Sequence, residues 1–349
     1  MHPSSDSPRG VDTPAILVED AHRSGPHGPS YSAEESPVGL DSALIIVNPI
    51  AGGGRARRIQ PAIADYLREQ EWPCDFVFSA STEDLRRKAA EAVAAGCGCV
   101  VALGGDGAFH HVVEAAIGSE TLLGFLPAGN GNDIAAGLGL PRDPIEAAHV
   151  LIRGTARAID VVRVRSLEAN DAQVGSTQPN AFRETVFVGA GGAGLDAEAA
   201  QLANTRFKRW PGVTRYIAGA LWAWRDFRAV EFEAMIDDVP WRGRAMFAAV
   251  ANGPCYGSGV RIAPLAQMDD GWLDITIVRE MPLGRLLEAI PIVLRSGDIR
   301  WHEIERFRCR RFSLRSSSPA LVHGDGELLG ALPAEFAIVP KAIRVLVPR

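Results

Sequence analysis

Three glycine-rich turns constrain this chain more than any other feature. Each comes directly after a short apolar run and directly before a helix-like run. They are "NPIAGGG" (48–54), "GGDGA" (104–108) and "PAGNGND" (127–133). Glycine weakens strands and helices alike, so packing alone gives no reason for it to gather at these junctions. The run Ala43–Val47 is apolar and β-branched, of the buried-strand type. In "IQPAIADYLREQ", Ile59, Ile63 and Leu67 fall at helical spacing. "CDFVFSA" predicts a second strand, and "TEDLRRKAAEAVAAG" a helix with acids first and a glycine stop. "CGCVVALGG", "AFHHVVEAAIG" and "TLLGFLP" continue the alternation as strand, helix and strand. That order predicts a parallel sheet covered by helices.

The pattern changes near residue 155. Short β runs follow: "ARAIDVVRVRS", "ETVFVGAGGAG", "VEFEAMID", "WRGRAMFAAVANG", "WLDITIVRE", "FRCRRFSLRSSS" and "AEFAIVP". Two helical blocks interrupt them, "RYIAGALWAWRDF" and "LGRLLEAIPIVLRSG". The fold class expected is therefore α/β plus β: a parallel α/β domain over 41–157, then an antiparallel β-sandwich-like domain over 158–349. Residues 1–40, rich in Ser, Pro, Gly and His, predict a disordered tail, and "SLEANDAQVGSTQPN" a polar surface loop.

A chain of 349 residues has room for two cores. Hydrophobic content of 47% and charged content of 22% are those of a globular protein. The net charge of −6 argues against a nucleic-acid partner held by bulk charge. Five scattered cysteines show no C-x-x-C, so neither a disulfide framework nor a zinc site is expected, and the reading is cytoplasmic. No basic start with an apolar core suggests a secretory signal, and no apolar run reaches eighteen residues.

In an open α/β sheet, ligands sit where strand ends lead into helix N-termini, and all three glycine turns fall at that edge. Glycine lets backbone N–H groups approach phosphate oxygens, and a following helix adds a favourable dipole. There is no G-x-x-x-x-G-K-[ST], so this is not a P-loop enzyme. "GAGGAG" (189–194) has only loose G-x-G-x-x-G spacing outside a βαβ setting, and a tight β turn is its better reading. Asp106 would repel phosphate unless a cation or basic group intervenes. With Asp133 and Asp160 it is read as ordering the loops and organising a metal network; capping of helices or turns is the alternative. "HGDGELL" read alone is a hairpin turn.

"NPIAGGG", "GGDGAFHHVVEA" and "LPAGNGNDIAAGLGLP" resemble, in order and spacing, the catalytic domain of the diacylglycerol kinase and sphingosine kinase superfamily, closest to its soluble bacterial lipid kinases. The resemblance runs on through "VGAGGAGLDAEAA", "ANGPCYGSGVRIAPLAQMDDGWLDITIV" and "VHGDGELLG", covering residues 43–349. It implies a Rossmann-like, NAD-kinase-like ATP domain, a β-rich domain, and an active site in the cleft between them. It further implies that Gly104, Gly105, Asp106, Gly107, Ala108, Phe109, His110 and Asn130 line the nucleotide. Asn48 and the 52–54 glycines would form the first loop, and Ser79 falls where the family often has a nucleotide-contacting threonine. Asp325 of "GDGE" would be the general base, with Glu327 beside it. Gln267, Asp270 and Trp272 map to a second, structural Mg²⁺ site, mostly through backbone carbonyls.

Two departures stand out: Ala108 replaces the Thr of G-G-D-G-T, and Asn130 the Thr of G-T-x-N-D. A lost hydroxyl contact is worth about 0.5–1.5 kcal/mol, and the Asn130 amide still donates. The implied reaction is in-line transfer of the ATP γ-phosphoryl group to a lipid hydroxyl, with Mg²⁺. The lipid comes from a membrane, and "RFKRWPGVTRYIAGALWAWRDFR" (206–228), basic and Trp-rich, suits peripheral contact with an anionic interface. An ordinary helix packed on the β domain is its plain alternative. NAD kinases share G-G-D-G and a related fold, and are the nearest rival; a nucleotide or lipid sensor without turnover is a third reading.

Overall fold

The computed structural model describes residues 43–167, 182–210, 212–226 and 229–349. The N-terminal tail reading, most of the 166–180 loop reading and parts of the 206–228 segment lie outside them. The chain begins with β1 (Ala43–Val47), α1 (Ala51–Glu69), β2 (Cys74–Phe78), α2 (Thr82–Ala94), β3 (Cys99–Gly104), α3 (Asp106–Ala116) and β4 (Leu122–Pro127). Regular helix in α1 starts only after Gly52, Gly53 and Gly54, whose φ values of 58°, 64° and 86° keep them a loop. The strands pair in parallel in the order β2-β1-β3-β4. β1 and β3 are apolar almost throughout because both sheet faces are covered. Helix α1 packs Ala56, Ile63 and Leu67 on one face. Leu85 and Ala89 of α2, with Val112 and Val113 of α3, cover the other.

Two helices not anticipated from the sequence follow, α4 (Asp133–Gly137) and α5 (Pro144–Arg153). Helix α5 is capped by Asp143, which accepts the Ile145 and Glu146 N–H groups, with Pro144 at its first position.

The remainder is mostly antiparallel. It comprises β5 (Thr155–Leu167), β6 (Phe182–Phe187), β7 (Ala190–Gly194), α6 (Leu195–Asn204), α7 (Thr214–Asp226), β8 (Val230–Ile236) and β9 (Val239–Ala251). Then come β10 (Leu273–Arg279), α8 (Leu283–Arg295), β11 (Ile304–Cys309), β12 (Arg311–Ser316), β13 (Leu321–Gly324) and β14 (Glu327–Val347). Strands β14, β12, β8, β9, β7 and β13 pair in a closed circuit. Its interior holds Phe187, Phe232, Phe312 and Phe336, all buried. Each such side chain contributes roughly 1.5–3 kcal/mol. Strand β14 starts in this circuit and ends parallel to β4, at Arg344 and Val345, so one strand belongs to both halves.

"GAGGAG" is corrected by this arrangement. Ala190–Gly194 is not a turn but a buried strand between β13 and β9. Small residues are required there: a β-carbon on Gly191 would collide with the His323 carbonyl, and one on Gly192 with the Ala248 carbonyl and the Asp196 carboxylate.

Candidate active site

The three glycine loops touch one another. A β-carbon on Gly52 would strike the Ala128 carbonyl, and one on Gly129 would lie 2.6 Å from the Gly105 Cα. Ala128 N–H donates to the Gly104 carbonyl at 2.6 Å. Backbone is therefore packed on backbone at one sheet edge, which no larger residue permits. Asn132, in the left-handed region at φ 61°, braces the third loop by accepting from Gly129 N–H and donating to its carbonyl, both at 3.0 Å.

Asp106 leaves the start of α3 and accepts the N–H groups of Asp133 (3.0 Å) and Ile134 (3.1 Å), fixing the second loop to the start of α4. Burial, and then the nearby Asp133 carboxylate, push its carboxyl up to about 7. Asp133 accepts the Ser258 N–H at 2.7 Å and is also raised, chiefly by burial. Two carboxylates side by side at a glycine edge form a site that gains from a cation.

Asp325 and Gly326 form the two-residue turn between β13 and β14, with φ of 52° and 83°. That matches the hairpin reading of "GDG". The turn also aims a carboxylate: Asp325 accepts Val188 N–H and Gly189 N–H, each at 2.8 Å, and meets His110 Nδ1 at 3.2 Å. Its side chain is 1% exposed, and that of His110 2%. Burial alone would lower the His110 pKa, but the carboxylates of Asp325 and Glu114 outweigh it and raise it to about 9. The imidazolium thus stands behind Asp325 and balances its charge. Glu327 is exposed at the start of β14, its Oε1 3.2 Å from where a Gly107 β-carbon would sit.

One cavity of about 550 Å³ joins these groups. Gly105, Asp106, Gly107, Asn130, Asp133, Asp325 and Glu327 line one end. The other runs between α6, α7 and α8 and is apolar, with Ala200, Leu221, Phe247, Ala289 and Val293 in its wall. The structure thus brings seven of the anticipated residues to one cavity.

Others lie outside its lining. Ser79 gives its hydroxyl to the Val47 carbonyl at 3.2 Å. Ala108 is buried, its β-carbon 2.7 Å from where one on Gly104 would lie. Phe109 stacks on Phe125 with ring centroids 4.7 Å apart. Asn48 accepts Ile50 N–H, and His110 is engaged as described. Asp160 is buried far along β5 and accepts Gly271 N–H and Lys341 N–H, each at 2.7 Å. It ties the 268–271 turn to the β14 bulge rather than joining the glycine loops, the turn-capping alternative.

At that turn Asp270 accepts Trp272 N–H and pairs with Arg308, while Gln267 is exposed. Asp269 pairs with Arg157 at 3.6 Å. A buried oxygen of Asp274, Oδ2, has no hydrogen-bond partner among the described residues.

Several site residues gave no local signal. Asn252, fully buried, donates to the carbonyls of Asp160 and Val188 and so fixes the segment that holds Asp325. The Asn204 amide donates to the Gly326 carbonyl at 2.9 Å, securing the turn from α6. These partners are far apart in sequence, and only the assembled sheet brings them together.

Comparison with known proteins agrees along most of the chain. Residues 42–164 match the diacylglycerol kinase catalytic domain, and residues 189–347 the YegS C-terminal NAD kinase beta sandwich-like domain. A diacylglycerol kinase of Mycobacterium tuberculosis is 28% identical over 314 residues, covering 89% of this chain and 96% of that protein. A protein of Chromohalobacter salexigens described as "Probable lipid kinase YegS-like" is 30% identical over 271 residues, 75% of this chain and 80% of its own. The crystal structure of a diacylglycerol kinase from Bacillus anthracis superposes with a TM-score of 0.67 at 17% identity. It covers 89% of this chain and 98% of that one, a likeness of fold. Among the described residues, no helix is long and apolar enough to cross a membrane.

Proposed function

The chain belongs to the family of bacterial diacylglycerol kinases and YegS-like lipid kinases, and we propose that it transfers the γ-phosphoryl group of ATP to the hydroxyl of a glycerolipid, such as diacylglycerol, or of a sphingoid base. The observation that carries this reading is the cavity, polar and glycine-edged at the end that Asp325 lines and apolar at the other. In this reading residues 41–157 are a Rossmann-like ATP domain, residues 158–349 a lipid domain, and the site is the cleft between them.

The glycine edge fits a nucleotide phosphate chain, because a β-carbon at Gly105 or Gly129 would fill the space between the loops. ATP, when bound, would supply the phosphoryl group, and Mg²⁺ would neutralise charge on its oxygens. Asp106, Asp133 and Glu327 are the carboxylates that would hold that metal. Asp325 accepts the proton of the lipid hydroxyl. Val188 N–H, Gly189 N–H and His110 hold that carboxylate in place, which suits a reaction that depends on positioning. His110 keeps the charge of Asp325 balanced, so the carboxylate repels incoming phosphate less. The orphaned Asp274 oxygen supports a second, structural cation at the turn of Gln267, Asp270 and Trp272.

Membrane contact through the segment 206–228 is supported by Trp210, 51% exposed, and by Trp222, with Arg206 and Arg225 over its ring at 4.0 and 4.7 Å. Such Arg–Trp groups suit an anionic interface, reached from the cytoplasm. The apolar wall offers NAD few polar partners.

The test is incubation with γ-labelled ATP, Mg²⁺ and mixed micelles carrying a lipid panel, with NAD in a parallel tube. Labelled lipid is expected. Labelled NADP alone, or ATP binding without transfer to any lipid, would contradict the reading.

A further inference from the structure

Beside Asp325, the cavity wall carries a second buried polar pair. His323 Nε2 meets Asp196 Oδ2 at 3.1 Å, and both side chains are 4% exposed. Asp196 also accepts Ala197 N–H at 2.8 Å. The His323 ring stacks on Tyr256 with centroids 5.8 Å apart. His323, Asp196 and Tyr256 all line the cavity, among Leu195, Met246 and Phe247. His323 Nδ1 is buried and has no hydrogen-bond partner among the described residues.

The state of Nδ1 follows from its neighbours. With Asp196 accepting at Nε2, the proton of the neutral ring lies there and Nδ1 is a bare acceptor. A buried acceptor of this kind calls for a donor from whatever enters the cavity. The ester carbonyls of a lipid cannot supply one.

Resting on the lipid-kinase reading, we propose that His323 is a specificity-determining residue that accepts a hydrogen bond from a second donor on the acceptor lipid. The preferred acceptor then carries a hydroxyl or amide N–H beside the hydroxyl that is phosphorylated. One residue separates His323 from Asp325. The Cα atoms of the two residues are therefore at most about 7 Å apart, so both can serve one headgroup. Asp196 fixes the tautomer, as carboxylates do for imidazoles elsewhere.

The test compares two lipids with the same single chain. Monooleoylglycerol has two hydroxyls; ethylene glycol monooleate has one. Calorimetric binding and phosphate transfer are measured for both, with wild type, His323→Phe and His323→Gln. Wild type should favour monooleoylglycerol by about tenfold or more in kcat/KM. His323→Phe should erase that ratio while still phosphorylating the one-hydroxyl lipid. His323→Gln, whose amide donates to Asp196 and keeps an acceptor oxygen, should restore part of it.

Equal use of the two lipids by wild type overturns the proposal while leaving the kinase reading intact, and it does so even if His323→Phe fails to fold. An unchanged ratio in a folded His323→Phe also overturns it. Preferential binding of monooleoylglycerol without any transfer supports the role of His323 and overturns the kinase reading instead.

Discussion

At the scale of single residues, His110 shows how the site stores charge. Its folded pKa of about 9 lies above the ordinary value of 6.5, because the carboxylates of Asp325 and Glu114 outweigh burial. The stabilisation is fully present below pH 6.5 and is lost as pH rises towards 9, since the folded state alone holds that proton in between. Unfolding free energies from denaturant titrations across that window should fall for wild type, by on the order of 1–3 kcal/mol, and stay flatter for His110→Gln. Equal slopes would remove His110 from the account. Ala108 is the second residue to change. Ala108→Thr returns a hydroxyl at the start of α3, and a fall in the KM for ATP of about two- to tenfold is expected. A rise would mean that the added methyl presses on Gly104, where space is short.

What could be read at this scale was what lies close in sequence. Asp325 in "GDGE" and Asp106 in "GGDGA" carry their glycines beside them, so their places at turns were visible in a few letters. His323 and Asp196 stand 127 positions apart, and nothing local to either suggests the other. Asp160 shows the same limit, because its partners Gly271 and Lys341 are set by the β14 bulge.

At the scale of elements, the loops act as one object. Gly129→Ala would push a β-carbon to 2.6 Å from the Gly105 Cα, backbone that cannot swing aside. We expect a stability loss of about 1–3 kcal/mol, together with a weaker ATP affinity measured by equilibrium binding. Unchanged affinity would separate the loop contact from nucleotide binding. Ala43–Val47 appeared in the sequence with the boundaries the structure gives it. Helix α5 was missed although Asp143-Pro144 is an ordinary start signal. Helix α6 had no such signal: it leaves a glycine strand through Gly194 at φ 113°, and its buried face is largely alanine. "GAGGAG" misled because glycine usually marks a turn, whereas here it lets three strands and the Asp196 carboxylate crowd together.

At the scale of the whole molecule, β14 runs from the Asp325 hairpin to the edge of β4, so the proposed base and the glycine edge share one continuous strand framework. The apolar end of the cavity depends on α6, α7 and α8 together, and was not legible as a pattern in any one of them. Ala200→Trp should fill that end, raising the KM for a long-chain lipid at least about tenfold while leaving the KM for ATP within about twofold. A parallel rise in both would mean that the two ends are not separate compartments. The most direct test of the central claim is the rate of phosphate transfer from labelled ATP to lipid by wild type and by Asp325→Asn, with thermal midpoints matched. A fall of about 10²–10⁴-fold is predicted. An Asp325→Asn protein that transfers at the wild-type rate would contradict the account.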